Sequence, residues 1–132
     1  KLDNEELRFS LSQSSIGSVI DIHSDPDFWN GRPGVGTIHH IAFRATSDEE
    51  QMALRTDLVS LGLNVTPQID RNYFRSIYFR EPGGVLFEIA TDDPGFLIDE
   101  SIDSLGSNLK LPEQYEAQRA EIEASLPKIN VR

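Results

Sequence analysis

The feature that most constrains the fold of this sequence is a glutamate in the middle of an apolar, strand-like segment. The segment covers residues 83–91, Gly-Gly-Val-Leu-Phe-Glu-Ile-Ala-Thr, with Glu88 near its centre. Burying a carboxylate there costs free energy unless another group pairs with it. A second strand-like segment, Thr37–Ala45, contains His40, and strand alternation allows His40 and Glu88 to share one face of a sheet. Because imidazole and carboxylate groups both bind divalent metals, the pair predicts part of a metal site.

The rest of the pattern predicts an α+β domain in the order strand, helix, strand, strand, strand. Ser47 and Glu50 form a capping box, so a helix should begin at Asp48 and end near Gly62. Residues 81–84, Glu-Pro-Gly-Gly, should join two strands as a hairpin. The predicted elements are strands at 16–23 and 37–45, a helix at 48–61, a strand at 64–70 interrupted by Pro67, strands at 73–80 and 85–91, and a helix from 112 to about 126.

Strand alternation divides the predicted sheet into a core face and a polar face. We expect Leu54, Leu58 and Leu61 to face the sheet from the helix, and His39 to be buried and hydrogen-bonded. His40, Tyr78 and Glu88 should project from the opposite face, which predicts a ligand-binding cup. The predicted core residues of the sheet are Ile41, Phe43, Ile77, Phe79, Phe87 and Ile89.

Each of the polar residues on that face also has a structural interpretation. His40 can be a structural or exposed histidine, and Glu88 can lie on the solvated side of a half-buried strand. Tyr78 is a common type of packing residue. Gly83 and Gly84 suit a turn rather than a phosphate site, because no helix begins after them. The sequence has no cysteine nucleophile, no Gly-x-Ser-x-Gly motif and no phosphate loop.

Composition limits the partners that we expect. The 132 residues carry a net charge of −10, which argues against binding to nucleic acid or to an anionic membrane surface. No apolar run approaches the roughly 20 residues that span a bilayer. The absence of cysteine is compatible with any compartment, and we expect a cytoplasmic protein.

The length favours one domain with flanking segments. We predict a linker or arm at residues 1–15, a domain at 16–111, and a C-terminal helix and tail at 112–132. The chain begins at Lys1 rather than methionine, so we expect that it was processed or belongs to a longer protein.

Two stretches of this sequence resemble a known family. Residues 36–44 and 70–91, the latter with Tyr-Phe-Arg-Ser-Ile-Tyr-Phe-Arg-Glu-Pro-Gly-Gly, are similar to the C-terminal half of hydroquinone-type ring-cleaving dioxygenases. The order of elements, with a histidine in the first strand and a glutamate in the last, resembles the wider vicinal oxygen chelate superfamily. That superfamily includes glyoxalases and extradiol dioxygenases. The resemblance extends over most of the chain from about Gly17 onward.

The resemblance implies a fold and a set of site residues. The fold would be a βαβββ module whose mixed, curved sheet forms half of a metal-binding cup, followed by a C-terminal helix. His40 and Glu88 match metal ligands, and Tyr78 and Arg71 match polar groups beside a bound aromatic diol. Tyr78 would hydrogen-bond a substrate oxygen, and Arg71 would offset developing negative charge. The implied cofactor is Fe(II), with Mn(II), Zn(II) and Ni(II) as alternatives.

The resemblance also implies partners and a reaction. An N-terminal sister module or a second copy of this chain should supply the remaining metal ligand. The reaction would be cleavage of a small hydroquinone- or catechol-like ring by O₂. Two alternatives stay open, namely a glyoxalase-like metal-dependent lyase or isomerase and a non-catalytic module that binds a small molecule.

Overall fold

A computed structural model describes residues 6–10, 19–27, 29 and 32–127 of this chain, which divides into two units, Lys1–His39 and His40–Arg132. Among the described residues, no helix is both long and apolar enough to cross a membrane. The regular elements are β1 (Glu6–Ser10), β2 (Val19–His23), β3 (Ile41–Ala45), α1 (Asp48–Ser60), β4 (Ile69–Asp70), β5 (Arg75–Arg80), β6 (Leu86–Thr91) and α2 (Arg119–Ser125), with 3₁₀ turns at Phe96–Ile98 and Glu113–Gln118.

The first unit contains an antiparallel hairpin of β1 and β2. The guanidinium of Arg8 donates to both carboxylate oxygens of Asp21, at 2.6 and 2.7 Å, and holds the pKa of Asp21 below its usual range. The predicted strand at 16–23 is present over 19–23, and residues 16–18 lie outside the described ones. β1 lies within the stretch predicted as a linker, so part of that stretch is a strand. The division into arm, domain and tail stays a prediction.

The second unit is a four-stranded mixed sheet with the strand order β3-β6-β5-β4. β3 runs parallel to β6, while β6 pairs antiparallel with β5 and β5 with β4. A parallel pair needs a long crossover connection, and α1, β4 and β5 all lie between β3 and β6 in the chain. This arrangement confirms the predicted α+β class and the βαβββ order, with a helix near the C-terminus.

Local sequence signals define both ends of α1. Ser47 is the N-cap, and its hydroxyl accepts a hydrogen bond from the Glu50 amide at 3.2 Å. The Glu50 carboxylate reaches back to the amide and the hydroxyl of Thr46, both at 2.6 Å, which is a capping box displaced by one residue. These hydrogen bonds lower the pKa of Glu50. Gly62 ends the helix with φ = +83°, a conformation that glycine adopts without strain.

The core lies between α1 and one face of the mixed sheet. Leu58 packs against it as predicted, but Leu54 and Leu61 are exposed, because α1 turns Gln51 inward instead. Ile41 is also exposed rather than buried, since it begins an edge strand, and His39 is exposed rather than buried. The buried hydrophobic residues are Ala45, Val65, Ile77, Phe79 and Ile89, with Phe43, Leu58, Leu63 and Phe87 packed around them.

Several predicted elements differ in extent from the prediction. The strand expected at 37–45 covers only Ile41–Ala45, so His40 lies just before the strand and not within it. The strand expected at 64–70 shrinks to Ile69–Asp70, because Pro67 cannot donate a ladder hydrogen bond. The helix expected from Pro112 begins as a 3₁₀ turn and becomes α-helical only at Arg119. Arg119 then pairs with Glu116 at 2.6 Å and with Glu123 at 3.1 Å, which stabilises the junction between the two helical segments.

Candidate metal and substrate site

Glu88 lies on β6 as a buried carboxylate with partners at both oxygens. It is directly opposite Tyr78 on β5, and its side chain is 4% exposed. Oε1 accepts hydrogen bonds from the hydroxyl of Ser76 and, at 2.9 Å, from that of Tyr78. Oε2 lies 2.7 Å from Nε2 of His40. The structural interpretation of Glu88 as a solvated residue is therefore wrong, because the carboxylate is buried and fully partnered.

His40 immediately precedes β3, and the parallel pairing of β3 with β6 brings it to Glu88. In that register Ala42 lies opposite Glu88, so His40, two residues before Ala42, lies near the carboxylate. The His40 side chain is 35% exposed, and its ring meets that of Tyr78 edge to face, with centroids 6.0 Å apart. The imidazole thus connects the buried carboxylate to the surface of this unit.

Tyr78 is positioned by Thr66, which bonds to both polar groups of the Tyr78 backbone. Its amide donates to Oγ1 of Thr66, and its carbonyl accepts from the Thr66 amide, each at 3.0 Å. Its single hydroxyl proton is donated to Glu88. The phenol oxygen can still accept a hydrogen bond from another group.

Arg71 stands on a tight turn between β4 and β5. Asn72 adopts a positive φ of 68°, which asparagine tolerates, and its amide donates to the carboxylate of Asp70 at 2.7 Å. The guanidinium carbon of Arg71 lies 5.3 Å from the centroid of the Tyr78 ring, within cation–π range. Arg71 also lines a cleft of about 660 Å³ together with Lys110 and other residues. Arg71 is the residue that this cleft shares with the group around Glu88, since His40, Tyr78 and Glu88 are not among the residues that line the cleft.

The structure brings together all four residues predicted from the sequence. His40 and Tyr78 contact Glu88 directly. Arg71 contacts the Tyr78 ring and not Glu88 itself. Their roles in binding and catalysis stay predictions.

Sequence reasoning missed the part that Ser76 and Gln51 play around this site. Alternation placed Ser76 on the same face as Tyr78, and a small polar residue in an apolar strand was the available signal. Gln51 is fully buried on α1 and donates to the carbonyls of Arg75 and Ile89 at 2.8 and 2.7 Å. These carbonyls belong to the residues adjacent to Ser76 and Glu88. Gln51 therefore links β5 and β6 to α1 on the core face of the sheet. No local pattern identified this glutamine.

His40 and Glu88 fit the role of two ligands of one metal ion. Two ligands that bond a first-row metal at about 2.1 Å and at right angles lie about 3 Å apart, close to the 2.7 Å between Nε2 and Oε2. Within the part of the chain that the structure describes, no group of three or more metal-binding side chains of the His, Cys, Asp or Glu type is present. A metal ion bound by His40 and Glu88, which stays a prediction, would therefore need a further ligand from outside the described residues.

Comparisons with known proteins give a consistent family. The model of the Glyoxalase/Bleomycin resistance protein/Dioxygenase superfamily matches residues 12–89. MhqO of Bacillus subtilis, named as a candidate ring-cleaving dioxygenase, is 50% identical over 92% of this chain. The chlorohydroquinone/hydroquinone 1,2-dioxygenase of Sphingobium indicum is 37% identical over 91% of this chain.

A solved structure extends the comparison to three dimensions. The crystal structure of a candidate dioxygenase from Bacillus subtilis superposes with a TM-score of 0.82, at 45% identity over 98% of this chain. The chain covers 44% of that structure and 38% of the length of each of the two curated relatives above. It therefore corresponds to less than half of each of these proteins.

Proposed function

Because this chain belongs to the Glyoxalase/Bleomycin resistance protein/Dioxygenase superfamily, we propose that it is a metal- and substrate-binding module of a ring-cleaving dioxygenase. The family confirms the resemblance that residues 36–44 and 70–91 indicate. The names of MhqO and of the hydroquinone dioxygenase support ring cleavage over a lyase or binding-only role. The substrate in this proposal is a hydroquinone- or catechol-like aromatic, and the second substrate is O₂.

The observation that carries this proposal is the contact between His40 and Glu88. Two unlike ligand groups face each other at 2.7 Å, one buried and one partly exposed, on paired strands of one sheet. Such a pair can bind a cation from the sheet side and leave the other side for substrate. An Fe(II) ion bound there would supply the one-electron chemistry that allows O₂ to react with an aromatic diol.

Tyr78 and Arg71 would bind and orient the aromatic diol. Since the Tyr78 proton is donated to Glu88, its oxygen would accept a hydrogen bond from a substrate hydroxyl. The Arg71 guanidinium beside the Tyr78 ring would stabilise negative charge that develops on the diol as it loses a proton.

The proposal includes a partner that completes the metal site. A sister module elsewhere in a longer chain, or a second copy of this chain, would add the missing histidine. A cytoplasmic location also belongs to the proposal and rests on the sequence alone.

Oxygen consumption tests this function. We expect the full-length protein, loaded with Fe(II), to consume O₂ with hydroquinone or catechol and to yield a ring-opened product. Glu88→Ala should reduce the rate by at least about 100-fold, as losses of essential groups do. The exposed Glu121→Ala serves as the matched carboxylate control and should be as active as the wild type.

Two kinds of result would contradict the proposal. Absence of oxygen uptake with either class of diol would refute ring cleavage, and activity on a glyoxalase substrate without O₂ would favour the lyase alternative. Wild-type rates in Glu88→Ala would refute the assignment of the metal site.

A further inference from the structure

We propose that Ser76 is a positioning residue that selects which oxygen of Glu88 binds the metal. This inference rests on the proposed function and adds a residue to it. Ser76 does not touch substrate or metal in this account. It acts through the carboxylate that it contacts.

The contacts of Glu88 carry the inference. Its two oxygens are chemically equivalent, and a free carboxylate can present either of them or both to a cation. Here Ser76 and Tyr78 both donate to Oε1, whereas Oε2 faces His40. Two donors on Oε1 occupy its lone pairs. The carboxylate is thereby held so that Oε2 is the oxygen available to the metal.

The position of Ser76 suits this role. It lies on β5 two residues before Tyr78 and diagonally across from Glu88, so its side chain emerges on the same face. Ser76 is fully buried, and a hydroxyl in that environment is costly to leave unpaired. Its bond to Glu88 therefore restrains both partners, and no solvent competes for it.

Gln51 and Thr91 hold the Ser76 segment itself in place. The carbonyl of Arg75 accepts from Gln51 at 2.8 Å, and the amide of Arg75 donates to Oγ1 of Thr91 at 3.0 Å. The backbone just before Ser76 is thus fixed on both its donor and its acceptor. Outer partners that orient a ligand in this way typically contribute 10–100-fold to metal affinity.

Fe(II) affinity is the readout that separates positioning from simple structural support. In the full-length protein, competition against a chromophoric chelator under anaerobic conditions should show about 10-fold weaker binding, or more, for Ser76→Ala. Leu58→Ala is the matched control, because it removes a side chain that packs against the core on the opposite face of the sheet from Glu88. It should lower thermal stability and leave the affinity within twofold of the wild type. Ser76→Thr retains a hydroxyl and should restore most of the affinity.

The outcomes separate this inference from the proposed function. Wild-type affinity in Ser76→Ala, or equal losses in Ser76→Ala and Leu58→Ala, would overturn the role of Ser76 while the metal site stands. Failure of the wild type to bind Fe(II) would overturn both proposals. If Ser76→Ala does not fold, Ser76→Cys replaces it, because the thiol keeps the volume but is a weak donor, and the same loss is expected.

Discussion

Glu88 is a buried carboxylate in an apolar strand, and its hydrogen bonds can form only in one arrangement of the sheet. An isolated buried carboxylate would be strongly unfavourable, yet this one has hydrogen-bonding partners at both oxygens. Its partners come from β5 and from the residue before β3, so they meet only when the sheet has formed. The same contacts that make burial tolerable would also orient the carboxylate for the proposed metal ion.

Arg71 is the residue whose charge we expect to matter for substrate rather than for folding. It is exposed, and its described contact is with the Tyr78 ring. Arg71→Met keeps most of the aliphatic stem but removes the charge. It should lower kcat/KM for hydroquinone about 10-fold, equivalent to about 1.4 kcal/mol, while the free energy of unfolding changes by less than about 1 kcal/mol.

Steady-state kinetics and chemical denaturation measure these two quantities. Arg71→Lys is the matched control, because it preserves the charge without the planar guanidinium. It should fall between the wild type and Arg71→Met. An unchanged kcat/KM in Arg71→Met would show that the guanidinium plays no part in stabilising the reacting diol.

At the scale of elements, one glutamine fastens α1 to the hairpin that carries the site. Gln51 donates to carbonyls of both β5 and β6, and its own oxygen accepts from Gln68 at 2.8 Å. Gln51→Met keeps the volume but removes the side-chain donor to both carbonyls, and the Ile89 residue stays paired with Ile77 in the β5–β6 ladder. We expect it to lower the free energy of unfolding by about 1–3 kcal/mol, the usual cost of leaving one buried group unpaired.

Urea denaturation with a surface control tests this role. Thr56→Met, at an exposed position of the same helix, should change the free energy of unfolding by less than about 0.5 kcal/mol. Equal stability of Gln51→Met and the wild type would mean that packing, rather than these hydrogen bonds, holds α1 on the sheet.

The elements differ in how far the sequence could predict them, and the reason is the range of the interaction that defines each. Ser47 and Gly62 mark the ends of α1 through bonds within a few residues, so the helix was predicted correctly. The face of α1 that packs on the sheet was not predicted correctly. Gln51 lies on that face because it bonds to carbonyls 24 and 38 residues away along the chain. The leucines were a misleading guide, since Leu61 is 77% exposed.

The site follows the same rule. Alternation alone placed His40, Tyr78 and Glu88 on one face, because that pattern is local and regular. The contact of Ser76 with Glu88 depends on the strand register, which the sequence does not specify residue by residue. The further metal ligand is expected from the family resemblance alone, and the described residues contain no group of three ligating side chains.

At the scale of the whole molecule, this chain corresponds to part of a larger architecture. It spans 38% of the curated hydroquinone dioxygenase relative and 44% of the solved dioxygenase structure. The proposed pair of ligands, His40 and Glu88, would agree with a protein in which another module or copy contributes the rest of the metal site. The net charge of −10 still predicts that nucleic acid is not a partner.

The central claim is that His40 and Glu88 bind one metal ion, and the metal content of the full-length protein tests it most directly. The protein is loaded anaerobically with Fe(II), desalted, and analysed beside His40→Ala, Glu88→Ala and the exposed control Glu121→Ala. We predict about one iron per site in the wild type and in Glu121→Ala, and nearly none in the other two variants. Stoichiometric iron in Glu88→Ala, or its absence from the wild type, would contradict the account.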